Sequence, residues 1–319
     1  ILQKYQNKKI AIYGMGLTGL SAAKAFKKSK AKIFCWDDKK ATREKIQKMK
    51  FPINKFWLSK NLVDKIVISP GIDINKCKIK KYLINNSSKI ITDLDLFFEI
   101  NKNSLIISVT GTNGKSTTCK LIEKILKTAK YNVKTVGNIG SPILSLNRLR
   151  KNQVHIIEAS SYQLQYSRLF RSKHAAILNI SPDHLERHKN IKNYIKTKAR
   201  IFFAQNNSDF SYINLENKYS RSIKKIFETK KLKSKLILVN KSNCNFLLKK
   251  ITNKYFKSKG NIENLAFAYE IAKKLKINDQ IIVKAISKFK GLPHRQEIIL
   301  SNKKLLCIND SKATSFEAS

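Results

Sequence analysis

Acidic residues are scarce in this chain: 21 Asp and Glu stand against 65 Lys and Arg over 319 residues, a formal charge of +44. Glycine (10) and proline (5) are also few, which excludes a collagen-like or low-complexity chain. The five cysteines, Cys35, Cys77, Cys119, Cys244 and Cys307, lie far apart without a CxxC pair. That argues against a disulfide framework or a cysteine zinc site and for reduced thiols. No stretch approaches the ~18 consecutive apolar residues of a membrane helix, so no membrane insertion is expected. Ile1-Leu2-Gln3-Lys4 carries no basic, then apolar, then small cleavage pattern, so no signal peptide is expected. An initiator Met is missing as well, and we expect the gene product to extend beyond these residues. A cytoplasmic monomer is the expected setting.

What is present is a globular composition, 42% hydrophobic and 27% charged, too apolar for a disordered polycation. The length suggests two domains, with a third begun. Such a basic chain raises nucleic-acid binding first, but the lysines are spread as pairs such as Lys8-Lys9, Lys80-Lys81 and Lys249-Lys250. No helix-turn-helix, zinc finger or RNP-type aromatic motif accompanies them. We read the charge as a solvated surface that draws in small anions, and expect no nucleic-acid partner.

The pattern along the chain is α/β. Lys8–Tyr13 reads as a buried strand, Leu20–Lys28 as a helix, and Ala31–Trp36 as a second strand. Lys65–Ile68 is another strand, followed by Ser69-Pro70-Gly71. The pattern restarts near Thr92, with a helix at Asp93–Ile100 and a strand at Leu105–Val109. Further strands are expected at Val154–Ile157, Ala175–Leu178, Leu236–Val239 and Leu305–Ile308. Helices are expected at Lys192–Ala204, Ile262–Leu275 and Asp279–Phe289.

Two glycine loops follow strands. Gly14-Met15-Gly16-Leu17-Thr18-Gly19 satisfies GxGxxG, with Asp37 about 20 residues on. By pattern alone this is a dinucleotide fingerprint, yet the physics asks only for a diphosphate facing helix N-terminal amides. A ligand-free strand–helix turn and an NAD-dependent oxidoreductase both remain open at this point. The second loop, Thr110-Gly111-Thr112-Asn113-Gly114-Lys115-Ser116-Thr117, ends as a phosphate loop, although Val109 stands where the standard loop has its first glycine. Its backbone amides would cradle phosphates, Lys115 would reach the β/γ oxygens, and the Ser116 hydroxyl would ligate Mg²⁺. This is expected to be an ATP site. A nucleic-acid-binding phosphate-loop protein is the competing class, separable by the salt dependence of DNA affinity.

The TGTNGKST stretch resembles the Mur ligase and folylpolyglutamate synthetase superfamily. Val136-Gly137-Asn138-Ile139-Gly140, Glu158-Ala159-Ser160-Ser161-Tyr162-Gln163-Leu164, Leu178–His188, Gly291-Leu292-Pro293-His294-Arg295 and Asn309–Thr314 extend the likeness in order. It covers nearly the whole chain and is thinnest over Asp209–Lys257. The resemblance implies an N-terminal Rossmann-like domain (1–92) binding a UDP-linked substrate. A central phosphate-loop domain (93–297) and the start of a third α/β domain (298–319) would follow, most of the glutamate pocket lying after Ser319. The implied reaction is ATP-dependent addition of D-glutamate to UDP-N-acetylmuramoyl-L-alanine, with folylpolyglutamate synthesis as the nearest rival.

The resemblance also implies the site. ATP would contact Gly111, Thr112, Asn113, Gly114, Lys115, Ser116 and Thr117. Asn261 and Asn264 would meet adenine, and Arg295 and Asp310 the phosphates and ribose. Two Mg²⁺ ions would be held by Ser116, Glu158, His184 and a carbamylated Lys198. Alone, Glu158 reads as a satisfied strand-end carboxylate, His184 as a cap, and Asn261 as a helix N-cap beside an exposed Asn264. Lys115, Lys198 and His184 are the expected catalytic residues. Leu17, Thr18, Asp37, Asp38, Gly71 and Asn138 would bind the UDP-linked substrate, and Lys312 and Thr314 a substrate carboxylate.

Overall fold

The computed structural model describes residues 2–58, 63–138, 143–145, 152–301 and 305–312. The first unit contains β1 (Lys9–Tyr13), α1 (Leu17–Lys28), β2 (Lys32–Trp36), α2 (Lys40–Lys48), β3 (Lys65–Ile68), α3 (Lys80–Asn85) and β4 (Ile90–Ile91). Its strands pair in parallel in the order β2-β1-β3-β4. Ile10, Ala11, Ile12, Ile66 and Val67 are wholly buried, as strands covered on both faces require. α1 begins at Leu17, three residues before the helical spacing becomes legible at Leu20, because Gly16 is its N-cap. α2 was not expected: it buries only Ile46, so its Lys-rich sequence shows no apolar stripe.

The second unit opens with α4 (Asp93–Ile100), β5 (Leu105–Thr110), α5 (Lys115–Thr128), β6 (Val133–Gly137), β7 (Val154–Glu158), α6 (Ser161–Leu164) and β8 (His174–Ile177). It continues through α7 (Leu185–His188), α8 (Ile191–Ala199), β9 (Phe210–Asn214), α9 (Ser220–Thr229), β10 (Lys235–Val239), α10 (Asn245–Leu248), α11 (Lys259–Lys274) and α12 (Asp279–Ser287). The six strands are parallel, ordered β10-β9-β8-β5-β7-β6. β11 (Glu297–Ser301) and β12 (Leu306–Asn309) form a separate antiparallel pair. The helix expected over Lys192–Ala204 ends at Ala199 and tightens into a 3₁₀ turn, Arg200–Phe202.

Both parallel sheets reverse their winding beside their first strand. β1 has β2 on one side and β3 on the other, and β5 has β7 on one side and β8 on the other. Loops leaving the carboxyl ends of neighbouring strands diverge at such a switch point and leave a crevice there. Each glycine loop follows the strand at its switch point.

α4 joins the units. Leu96 packs into the core of the first, while Leu94 and Phe97 pack into the second. Thr92 and Asp95 form a capping box at its start. Asp95 Oδ1 also accepts from Ser167 Oγ and the amides of Arg168, Leu169 and Phe170, at 2.7–3.0 Å. Removing that buried carboxylate strands several donors, so Asp95→Ala is expected to cost about 4 kcal/mol. Urea unfolding checks this; a loss below ~1 kcal/mol would show that the loop re-forms its bonds elsewhere.

Candidate functional site

The first glycine loop is shaped by contacts that exclude side chains at two of its glycines. A Cβ on Gly19 would lie 1.9 Å from the Gly14 carbonyl oxygen, and one on Gly14 would meet Ser69 Cβ at 2.8 Å. Gly16, by contrast, has open space around it. The outer glycines therefore close the turn and seat α1 on the sheet, while the middle one leaves room for a ligand at the helix N-terminus. Asp37 Oδ2 accepts from Met15 N (2.7 Å) and Asp38 Oδ2 from Tyr13 OH (2.6 Å), so both carboxylates brace the loop's surroundings.

A cavity of about 980 Å³ extends from this loop to the second unit. Its lining includes Gly16, Leu17, Thr18, Asp37, Asp38 and Gly71 at one end. Ser160, Gln163, Tyr194 and Lys198 line it from the second unit. Leu17 is 79% exposed at the first turn of α1, and packing in the fold does not explain an apolar side chain left there.

The second glycine loop is braced by the segment after β8. Asn113 N donates to Asn179 Oδ1 (2.8 Å), Thr112 N to Asn179 O (3.0 Å), and Ser181 N to Thr112 Oγ1 (3.0 Å). Gly114 sits at φ +79°, and a Cβ there would fall 2.1 Å from Asn264 Oδ1, so glycine alone fits. Lys115 Nζ folds back onto the carbonyls of Gly111 (3.0 Å) and Thr112 (2.7 Å). Burial, then the neighbouring Arg295 charge, lowers its pKa from the usual lysine value, with Glu158 opposing. Ser116 Oγ donates to Glu158 Oε2 (2.8 Å), and Asn138 Nδ2 donates to Glu158 Oε1 (2.9 Å).

These groups line a second cavity of about 660 Å³. Thr112, Asn113, Gly114, Ser116 and Thr117 lie on it, with Glu158, Asn261, Asn264, Arg295, Asp310 and Lys312 around them. Gly111 lines neither cavity; its carbonyl instead anchors Lys115 and Lys198. Asn261 is not the helix N-cap: Ser258 is, its hydroxyl accepting from Asn261 N. Asn264 is buried rather than exposed and accepts from Thr118 Oγ1 at 3.1 Å. Thr314 lies outside the described residues.

The two cavities share Lys115, Asn138, Asp183 and His184. His184 has a left-handed backbone (φ +52°) at the start of α7, its ring edge-on to Tyr162 at 5.0 Å. Its nitrogens lie 3.4 Å from Asp183 and 3.7 Å from Glu186. Lys198, 2% exposed, donates to Gly111 O at 2.8 Å and approaches Thr110 Oγ1 at 3.4 Å. Burial first, and the Lys115 charge second, drive its pKa well below the usual lysine value.

Ser116 and Glu158 supply adjacent hard oxygen donors that suit Mg²⁺. Lys198 as a free amine could not ligate such an ion, and its nitrogen is turned to a carbonyl. Among the described residues no cluster of three or more His, Cys, Asp or Glu forms a metal site. Asp183, Asn179 and Gln163 also belong to the site; their local sequence carries no signal for it, because they act through loops that meet only in the folded chain.

Comparison with known proteins decides the family. Residues 109–282 match the Mur ligase middle domain, and residues 8–92 match the Mur ligase MurD-like N-terminal domain. The chain belongs to the Mur ligase family. A UDP-N-acetylmuramoylalanine--D-glutamate ligase of Rickettsia felis is 36% identical, covering 98% of this chain and 73% of that protein. A ligase of the same name from Clostridioides difficile is 33% identical over 97% of this chain and 73% of its own length. Among solved structures, a UDP-N-acetylmuramate:L-alanyl-gamma-D-glutamyl-meso-diaminopimelate ligase from Neisseria meningitides superimposes with a TM-score of 0.55 at 14% identity. That match covers 89% of this chain and 99% of the other. MurF from Acinetobacter baumannii gives 0.51 at 18% identity over 68% and 52%. Both share the fold of this Mur ligase. Among its described residues no helix is long and apolar enough to cross a membrane.

Proposed function

We propose that this Mur ligase uses ATP to join D-glutamate to UDP-N-acetylmuramoyl-L-alanine in the cytoplasm, in peptidoglycan precursor synthesis. One observation carries the reading: a phosphate-loop cavity and a glycine-turn cavity meet at Lys115, Asn138, Asp183 and His184. A γ-phosphoryl group entering from one side can there reach a carboxylate entering from the other. The carboxylate oxygen takes the phosphoryl group and ADP leaves. The D-glutamate amine then attacks the acyl carbon, and phosphate departs as the amide forms.

The chain supplies positioning and charge to this sequence without a protein nucleophile. Glycine-loop amides and Lys115 hold the transferring phosphoryl group. Asn261 and Asn264 face the base, Arg295 and Asp310 the rest of the nucleotide, and Lys312 a substrate carboxylate, a role that the resemblance extends to Thr314. Leu17, Thr18 and Gly71 receive the UDP end, with Asp37 and Asp38 beside it. Ser116 and Glu158 would hold one Mg²⁺, which neutralises phosphate charge; Lys198 as a carbamate and His184 would serve a second. The division into domains at residues 92 and 297 belongs to the same proposal.

The test is phosphate release from ATP·Mg²⁺ with each acceptor and amino acid, on the full-length protein. Release only with UDP-N-acetylmuramoyl-L-alanine plus D-glutamate is expected. Release with a folate and L-glutamate instead, or nicotinamide reduction, would overturn the assignment.

A further inference from the structure

Asp93 is the first residue of α4 and only 2% exposed. Its Oδ2 accepts from Gln163 Nε2 at 3.2 Å, whereas Oδ1 has no hydrogen-bond partner. Gln163 is itself fixed, since its Oε1 accepts from both Ser160 N (3.1 Å) and Ser160 Oγ (3.2 Å). The glutamine therefore cannot turn to serve the second Asp93 oxygen. A buried carboxylate oxygen without a donor destabilises a fold. Two residues on, Asp95 shows the alternative, with both oxygens fully engaged.

Asp93 also lines the larger cavity, together with Ser160, Gln163, the glycine turn and Lys198. We propose that Asp93 Oδ1 accepts an amide N–H of the UDP-linked precursor and so selects for its N-acyl or alanyl portion. This rests on the proposed function and adds a specificity residue to it. The chemistry narrows the ligand group: a carboxylate repels the precursor's diphosphate and terminal carboxylate, and it can accept only from a donor. The precursor carries amides between those two anionic ends. Burial first, with the Asp95 charge adding to it, raises the Asp93 pKa to about 6 against the pull of Gln163 and of the Leu94 and Asp93 backbone amides. A carboxylate so placed costs stability at neutral pH, because its folded pKa exceeds its unfolded value and the penalty grows as pH rises through that interval.

The test is Asp93→Asn, whose carbonyl can still accept from Gln163 while its NH₂ opposes a ligand N–H. Binding of UDP and of UDP-N-acetylmuramoyl-L-alanine is measured by calorimetry on both proteins, with the melting temperature of each. The expected result is a loss of at least tenfold in precursor affinity, UDP affinity within twofold, and an unchanged or higher melting temperature. Equal precursor affinity in variant and wild type would overturn the role of Asp93. So would a parallel loss of UDP and precursor affinity, or a lowered melting temperature. A wild-type protein that binds UDP and the precursor equally, or neither, would instead overturn the functional reading beneath it.

Discussion

Lys198→Ala should lose at least 10³-fold in kcat and regain part of it in millimolar acetate or propionate. The side chain is buried, its nitrogen is held by the Gly111 carbonyl, and burial with the nearby Lys115 favours the neutral amine. A neutral amine is the form that adds carbon dioxide to give a carbamate, which converts a nitrogen donor into an anionic oxygen group able to ligate a hard cation. Short carboxylates fit the space the truncation leaves and restore those oxygens, whereas chloride does not. A factor of 10³ corresponds to about 4 kcal/mol of lost transition-state stabilisation. Wild-type turnover in the variant, or a loss that no carboxylate reverses, would remove Lys198 from the metal site. The free amine also tethers the phosphate loop through Gly111 O, so nucleotide affinity is measured alongside. A pure tether would lose ATP affinity without carboxylate rescue.

The other large effect concerns Lys115. Lys115→Ala should reduce ATP turnover by about 10³-fold, the scale of removing one preorganised charge from a phosphoryl-transfer site. UDP affinity should stay within twofold, because the glycine turn at Gly14–Gly19 belongs to the other sheet. Lys115 lines both cavities, however. The precursor, whose terminal carboxylate the proposed reaction brings to that junction, should therefore bind several-fold more weakly. Titrations with UDP, precursor and ATP separate the three. UDP affinity falling as far as ATP affinity would show that the two nucleotide ends are not independent.

The sequence by itself determined the two strand–glycine loop–helix starts and the phosphate-loop identity of residues 110–117. These signals are local: a loop that must bring backbone amides to phosphate needs glycine, lysine and a hydroxyl at fixed spacing, whatever surrounds it. The start of α4 at Asp93 and strands such as Lys65–Ile68 were legible for the same reason, whereas the Thr92–Asp95 capping box emerged only in the structure. Within the segment 209–257 the sequence expectation covers only the strand Leu236–Val239, which is β10. β9 carries buried Ser211 and Asn214, satisfied by partners from other segments, which interrupt the apolar run of a buried strand. α9, by contrast, does carry an apolar stripe of Ile223, Ile226 and Phe227.

Tertiary structure alone decided where the chemistry meets. Leu17 lies on α1 and Lys198 on α8, helices of different units, and nothing local says that one cavity touches both. That Lys198 and Lys115 share the Gly111 carbonyl follows from α8 packing behind β5, a contact 87 residues apart in the chain. The unmatched oxygen of Asp93 is likewise invisible in the sequence, where Asp93 and Asp95 are two acidic residues at the start of one helix. Only packing shows that one is saturated with donors and the other is not, because hydrogen-bond satisfaction depends on what the fold brings to each oxygen.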